Sequence, residues 1–439
     1  MPLAPVRYNQ NRSVGNSART QHLRLGTVTV LALLALCSQA AAQMKSRVSL
    51  EDAISLALAH SPTLKALRTQ VPQNQAEEIT ANLRPNPVLS WDTQFIPLFQ
   101  PGQFSADYFD NVAQFDLGVG YLFERGGKRQ HRLEAAKNQT AMTSSQVADG
   151  ERTLTFDVAQ QFINVLLAES NLQFANDALK SYQDTVNISQ ERYKAGDISQ
   201  GDLLKIKLQM LQFQTDVSAA RIARTQALVA LRQLVGYEAL TPDYDVVGDL
   251  AYQALKLNED DLKAAALRRP DVVAAQKGVA LAQSQHTLQV ANGKRDLNTS
   301  FNYSHVAGVN TGAFFFNMEI PIFDRNQGEI QRSQYAIDQS KYTETAAEQT
   351  ALADVTNAYE TFRSSDQVVQ LYTSGYLDQA KESRDISEYA YKGGAASLLD
   401  LLDAERSYRQ TQLAYRQALA NYMLAVEQVR EAVGMRNLP

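Results

Sequence analysis

Asp400 and Asp403 are the residues whose spacing most plainly suggests chemistry. They stand three apart at the start of the last predicted helix, so they share one face of it. Carboxylates repeated around a symmetric opening concentrate cations in a narrow pore. The plainer use of the same residues is to favour a helix N-terminus, where the dipole welcomes negative charge. Asp202 occupies the matching place in an earlier helix. Lys205 stands where Asp403 would be, so a salt link across the two helix starts is open to it.

Little else offers reactive chemistry. The five histidines, His22, His60, His131, His286 and His305, are scattered without ligand spacing. No Ser-His-Asp set, phosphate loop or paired catalytic carboxylate has a helpful context. The expectation is a non-enzyme with no cofactor and no metal site. A net charge of −5 with mixed signs leaves no basic footprint for nucleic acid. The single cysteine, Cys37, lies in the leader, so the mature chain has no thiol chemistry.

The elements that position these residues come in two copies, offset by about 200 residues. Glu51-Asp52 … Ser61-Pro62 returns as Glu259-Asp260 … Arg269-Pro270. Tyr121-Leu122-Phe123-Glu124-Arg125-Gly126-Gly127-Lys128 returns as Pro321-Ile322-Phe323-Asp324-Arg325-Asn326-Gln327-Gly328. Tyr193-Lys194-Ala195-Gly196 … Asp202-Leu203-Leu204 returns as Tyr391-Lys392-Gly393-Gly394 … Asp400-Leu401-Leu402. Each copy reads as helix, strand pair, very long helix, turn and return helix. The expected organisation is a signal peptide over 1–42, a first repeat over 43–236, an irregular link over 237–258 and a second repeat over 259–439.

The leader carries Arg19, His22 and Arg24, an apolar run from Leu25 to Leu36, and Ala40-Ala41-Ala42 before Gln43. That order predicts export with cleavage after Ala42. Leu34-Ala35-Leu36-Cys37 faintly resembles a lipoprotein box, although Leu36 is bulky where a small residue is expected. The long basic segment leaves the translation start open.

Period-two alternation predicts strands at about 88–97, 115–123, 297–306 and 314–323, each with an aromatic face and a small polar face. Leu89, Trp91 and Phe95 oppose Ser90, Asp92 and Gln94, for example. Strands of about nine or ten residues can cross a bilayer at a tilt. In lipid an open sheet edge is forbidden, and known membrane barrels start at about eight strands. The barrel must therefore be shared between subunits. Loops are predicted over 97–114 and 307–313.

Between Arg129 and Ala195 only Gly150 weakens helix, which gives a helix roughly 100 Å long. The second copy predicts the same from Glu329 to Lys392. Seven-residue apolar spacing, as in Val158, Val165, Leu172, Leu179 and Val186, makes such helices pack side by side and supercoil. Return helices of about 37 residues cover half of each long one, roughly 55 Å. Helices over 50–83 and 259–296 are placed to cover the other half.

The ordered set, with Glu-Arg-Gly-Gly-Lys-Arg at 124–129, Phe323-Asp324-Arg325-Asn326-Gln327-Gly328 and two turns ending in Asp-Leu-Leu, resembles the TolC-type outer-membrane efflux family. It looks most like the heavy-metal, cobalt–zinc–cadmium type components. The resemblance implies a mainly α fold with a small β part, built from a duplicated helix–β-hairpin–helix unit. It implies a homotrimer whose α-helical periplasmic barrel joins a shared twelve-stranded transmembrane β-barrel in outer-membrane lipid. It further implies a passive duct of a tripartite efflux system, with a periplasmic adaptor and an inner-membrane resistance–nodulation–division transporter. Heavy-metal cations are the implied cargo, with drugs, solvents or secreted peptides as the alternative and a poreless periplasmic coiled-coil scaffold as the non-transport reading.

The same resemblance places Asp400 and Asp403 at the periplasmic entrance, with Asp202 and Lys205 beside them. Tyr391 matches a position that helps hold the entrance closed. The arginine often found just after that turn is missing, with Ala396 near the spot. The helical turns at about 194–201 and 392–399 become the adaptor contacts, through Lys194, Ala195, Gly196 and Asp197 and through Lys392, Gly393, Gly394 and Ala395.

Overall fold

The computed structural model describes residues 47–438, so the leader, its cleavage site and Cys37 lie outside the described residues. Nearly all described residues belong to one compact unit, Val48–Leu240 with Val246–Pro439. The described part of a second, small unit is Arg47 with Thr241–Asp245, an extended residue and a turn.

The first repeat opens with three short helices, α1 (Leu50–His60), α2 (Pro62–Arg68) and α3 (Gln70–Ala81), where one helix over 50–83 was expected. The break falls at Ser61, which is extended (φ −54°, ψ 121°) because the following proline disfavours helical geometry there. The second repeat breaks likewise before Pro270, into α7 (Glu259–Ala266) and α8 (Pro270–Asn292). Proline suits the first helical position, where its missing N–H leaves no bond unmade.

Four strands follow the expected pattern with altered ends. Strand β1 is Val88–Gln94, β2 is Gln114–Phe123, β3 is Leu297–Val306 and β4 is Val309–Met318. Strand β1 stops short of 97 because Phe95 takes a left-handed φ of 57°, and Pro97 beyond it has no N–H to donate. The connection to β2 is not wholly irregular: it holds α4 (Ala106–Asn111), capped by Ser105, whose side chain accepts from the Tyr108 N–H. The fourth strand differs most from the expected 314–323. Ala307 (φ 50°) and Gly308 (φ 76°) form a two-residue reversal, so Val306 pairs directly with Val309 and the loop over 307–313 is absent. Two positive φ values match the right-handed twist of the flanking strands. Pro321 falls beyond the ladder, where its missing donor is harmless.

All four strands pair antiparallel in the order β1-β2-β3-β4. Directly paired residues share a face. One face carries the rows Leu89–Val119–Phe301–Phe314 and Trp91–Leu117–Tyr303–Gly312. The other carries Ser90–Gly118–Asn302–Ala313 and Asp92–Asp116–Ser304–Thr311. The aromatic face is exposed, with Trp91 at 77% and Phe314 at 73%. Strands β1 and β4 are both free edges.

The helices leave the sheet from one end. From β2 the chain enters α5 (Lys128–Ala195), 68 residues and about 100 Å long. Gly150, inside it, sits where an added Cβ would stand 2.3 Å from Leu67 Cδ2, so α2 approaches closely. From β4 the chain enters α9 (Gln327–Leu371), a π turn at Tyr372–Tyr376, and α10 (Leu377–Lys392). The expected unbroken second helix is thus interrupted. Gly375 adopts φ 125°, ψ −12° inside the π turn, a backbone open to glycine and strained for other residues. The return helices α6 (Gln200–Val235) and α11 (Leu398–Val433) have 36 residues each. Helix α5 packs on α6 toward one end and on α3 and α8 toward the other; α9 packs on α7, α8 and α11. The heptad residues form the seam: Val158, Val165, Val186, Val355, Phe362 and Val369 are buried.

The apolar core beside the α7–α8 junction gathers Leu262, Val272, Val355, Tyr422 and Val429. Arg269, 3% exposed, sits at this junction. It donates to Asp271 Oδ2 (2.6 Å), Asp354 Oδ2 (2.9 Å) and the Ala432 carbonyl (3.4 Å). Burial works against its charge, but the bonds to Asp271 and Asp354 hold its pKa above the usual arginine range.

Candidate functional site

Two helical reversals meet at the end of the molecule away from the sheet. In the first, α5 closes at Gly196 (φ 85°), with the Asp197 N–H on the Arg192 carbonyl at 2.9 Å. In the second, α10 closes with the Ala395 N–H on the Ala390 carbonyl at 2.8 Å. The reversal residues Lys194, Ala195, Gly196 and Asp197, and Lys392, Gly393, Gly394 and Ala395, are all exposed. Lys194 bonds Glu191 (2.8 Å) and Lys392 bonds Glu388 (2.6 Å), each along its own helix.

Asp400 serves the helix start. Its N–H donates to Ser397 Oγ (3.3 Å), while Asp400 Oδ2 accepts from Ser397 Oγ (2.7 Å) and the Ser397 N–H (3.1 Å). This capping box satisfies two otherwise orphaned donors. The hydrogen bonds from Ser397, side chain first and backbone second, hold the Asp400 carboxyl below its usual range. Asp202 repeats half of the arrangement with Ser199, at 3.0 Å and 2.8 Å. Asp403 is exposed and, among the described residues, makes no hydrogen bond or ion pair. Among the described residues of one chain, no salt link joins Asp403 to Lys205. Lys205 Nζ stands 3.6 Å from Asp202 Oδ1 on its own helix, because a three-residue spacing brings the pair within reach.

Tyr391 is buried at 3%, in a cluster with Tyr182, Val186, Ile206, Phe213 and Leu401. Its hydroxyl meets Ser189 Oγ at 3.3 Å, its carbonyl accepts from Arg192 Nη1 at 2.6 Å, and the Arg192 guanidinium stands over its ring at 5.0 Å. Tyr391 therefore ties α10 to α5. Behind it, Arg384 of α10 stacks on the Tyr408 ring (4.7 Å) and faces Glu405 of α11 at 3.8 Å. Burial is the main cause that raises the Glu405 pKa, with Arg384 opposing it.

The spacing of Ser189, Arg192, Arg384 and Glu405 did not single them out. Arg192 and Tyr391 are separated by 199 positions, and each looks like an ordinary helix-surface residue on its own.

At the opposite end of the helices, the paired motifs form a collar. Lys128 Nζ donates to Asp296 Oδ2 (2.7 Å), and the Arg125 N–H to Asp296 Oδ1 (2.9 Å). Arg132 pairs with Glu124 across one turn. Arg295 reaches Asp324 (3.1 Å) and Glu319 (3.2 Å), and Asn326 Nδ2 donates to the Gln289 carbonyl (2.7 Å). These contacts fix the strand-to-helix corners in both repeats. Among the described residues no three His, Cys, Asp or Glu side chains are grouped to hold a metal ion, and no helix is long and apolar enough to cross a membrane.

Comparison with known proteins agrees with this architecture. The chain is 25% identical over 350 residues to the cation efflux system protein CusC of Escherichia coli K12, covering 75% of each. It is 24% identical over 398 residues to the cobalt-zinc-cadmium resistance protein CzcC of Cupriavidus metallidurans, covering 88% of this chain and 90% of that one. A crystal structure of CusC, described in terms of folding and transmembrane channel formation, superposes with a TM-score of 0.74 at 21% identity, over 88% of this chain and 92% of that chain. One family profile matches twice, over residues 53–237 and again over 251–435, in step with the duplicated elements. The chain belongs to the outer membrane efflux protein family.

Proposed function

We propose that this outer-membrane efflux protein is one third of a passive duct, three copies of which close a twelve-stranded barrel above a helical periplasmic tunnel. The observation that carries the reading is the sheet. It has two free edges and an exposed aromatic face, so it is neither closed nor covered within one chain. Lipid tolerates no unpaired edge, so neighbouring copies must supply the missing hydrogen bonds. Strands of ten residues rise about 33 Å along their axes, enough to span the apolar band when tilted. The rows holding Ser90, Asp92, Asp116 and Asn302 then line a polar lumen.

The two reversals form the periplasmic entrance and the contact for an adaptor protein, which links the duct to an inner-membrane transporter of the resistance–nodulation–division class. Of the two aspartates on the last helix, Asp403 is free to face passing cations, and Asp400 is engaged in its cap. Neither the duct nor the entrance needs a catalytic group or a cofactor. The cargo is heavy-metal cations; what supports this is the naming of both CusC and CzcC for cation or metal efflux. The test is a deletion strain profiled for resistance. Loss of resistance to zinc, cobalt, cadmium, nickel or copper supports the metal cargo. Loss restricted to dyes, antibiotics or solvents assigns the alternative.

A further inference from the structure

The ten residues from Phe95 to Phe104, which follow β1, carry no charged side chain. Their large apolar groups are bare: Phe99 is 96% exposed, and Phe95, Leu98 and Phe104 are exposed as well. The segment lies at the end of the sheet away from the long helices. A contiguous apolar patch of this kind is unusual on a surface that meets water. The reversal between β3 and β4, at the same end, is two residues long and carries no such stretch.

The segment folds to a definite side of the sheet. Helix α4, which follows it, places Phe109 against Phe115 of β2, with ring centroids 6.2 Å apart, and Phe104 against Phe109 at 5.8 Å. His305 of β3 donates through Nε2 to the Asp110 carbonyl at 2.9 Å. Phe115 and His305 are directly paired, in register with Leu117–Tyr303 and Val119–Phe301. Alternate residues share a face, so both anchors stand on the aromatic face. Helix α4 therefore caps that face, and not the rows of Ser90 and Asp92.

By covering Phe115 and His305, α4 leaves the bare aromatic rows running only from Leu117 to Phe123. Those rows rise about 20 Å along the strand and about 15 Å along the barrel axis at the usual tilt, against an apolar band about 25 Å tall. Ile320, Ile322 and Phe323, all exposed, continue the band at the end nearer the helices. The uncharged segment continues it at the other.

We propose that Phe95, Leu98, Phe99 and Phe104 form a shelf outside the barrel wall that inserts among the acyl chains of the outer leaflet, with α4 holding it there. The occupant follows from continuity, since the shelf extends the face that the barrel reading gives to lipid. Apolar groups beside a short helix at this depth bury into the boundary between headgroups and acyl chains. The proposal rests on the barrel reading, and the chain supplies a control for that reading. Its one tryptophan, Trp91, is 77% exposed in the same row as Leu117 and Tyr303.

Full-length mature protein is reconstituted in phosphatidylcholine vesicles, plain or brominated high on the acyl chains, and tryptophan emission is compared. The wild type reports Trp91. The Trp91→Phe/Phe99→Trp variant reports the shelf, and Trp91→Phe/Leu98→Trp replaces it if the first does not assemble. Bromine is expected to lower the emission of wild type and variant alike by about twofold, as for groups at the acyl boundary. Acrylamide in the water should quench the variant little. Quenching of the wild type by bromine, with a variant quenched only by acrylamide, overturns the shelf and leaves the barrel standing. A variant shielded from both quenchers, as burial against a neighbouring copy would give, overturns the shelf too. Bromine without effect on either protein overturns both readings.

Discussion

Gly127 and Asn326 hold the same left-handed backbone position, φ 73° and φ 63°, at the N-caps of α5 and α9. Glycine does so without a steric penalty. Asparagine does so with help from its side chain, which donates to the Gln289 carbonyl at 2.7 Å. The two repeats thus turn the same strand-to-helix corner by different means. Gly127→Ala is expected to cost about 1 kcal/mol, from the left-handed strain of a Cβ. Asn326→Ala should cost about 2 kcal/mol, since it loses the hydrogen bond as well, and Asn326→Gly should cost less than Asn326→Ala. Thermal melting in detergent, followed by circular dichroism, checks the order.

Gly150 and Leu67 make a second test of close packing. Alanine at 150 would gain about 0.8–1.0 kcal/mol of helix propensity. Its Cβ would also meet Leu67 Cδ2 at 2.3 Å and push that side chain aside, at about 0.5–1.5 kcal/mol. Gly150→Ala alone should therefore change stability little. In a Leu67→Ala background the same change should stabilise by about 1 kcal/mol. A double-mutant cycle measures the difference; additive effects would contradict the contact.

Three of the four strand positions, the duplication and both return helices were legible in the sequence, because they depend on periodicity and on motifs that recur within one chain. Strand β4 was misplaced because Gly308 and Gly312 resemble loop residues, while Ala307 does not advertise a positive φ. The π turn was missed because Tyr372–Tyr376 keeps helical spacing on either side of a single glycine. Helix α4 was missed because its six residues lie in a segment rich in proline and glycine. At the two reversals, Asp400 and Tyr391 could be picked out by matching the two turns. Arg192 could not, since its bond to Tyr391 exists only when two distant helices lie side by side.

Arg269 is buried with two carboxylates and a helix-end carbonyl on its guanidinium. Arg269→Ala leaves those acceptors without their donor and is expected to destabilise the fold by about 3–5 kcal/mol. Arg269→Lys should recover only part, since one ammonium cannot reproduce the fork. Melting temperatures of the two variants decide this; equal losses would argue against a geometric role.

Glu405 gives a pH dependence with a definite sign. Burial, the leading cause, raises its folded pKa above the ordinary 4.5. The folded state therefore binds this proton more tightly than the unfolded state does. The stability this group contributes is full below about pH 4.5 and is lost as pH rises through the folded value. Glu405→Gln should remove that loss, so its melting temperature should fall less than that of the wild type between pH 4 and pH 7. A parallel decline in both proteins would contradict the assignment.

The incomplete sheet remains the centre of the account, and subunit counting tests it most directly. Native mass spectrometry of the mature protein released from detergent should give a mass three times that of one chain. A stable single-chain species that stays soluble without detergent would contradict the shared barrel.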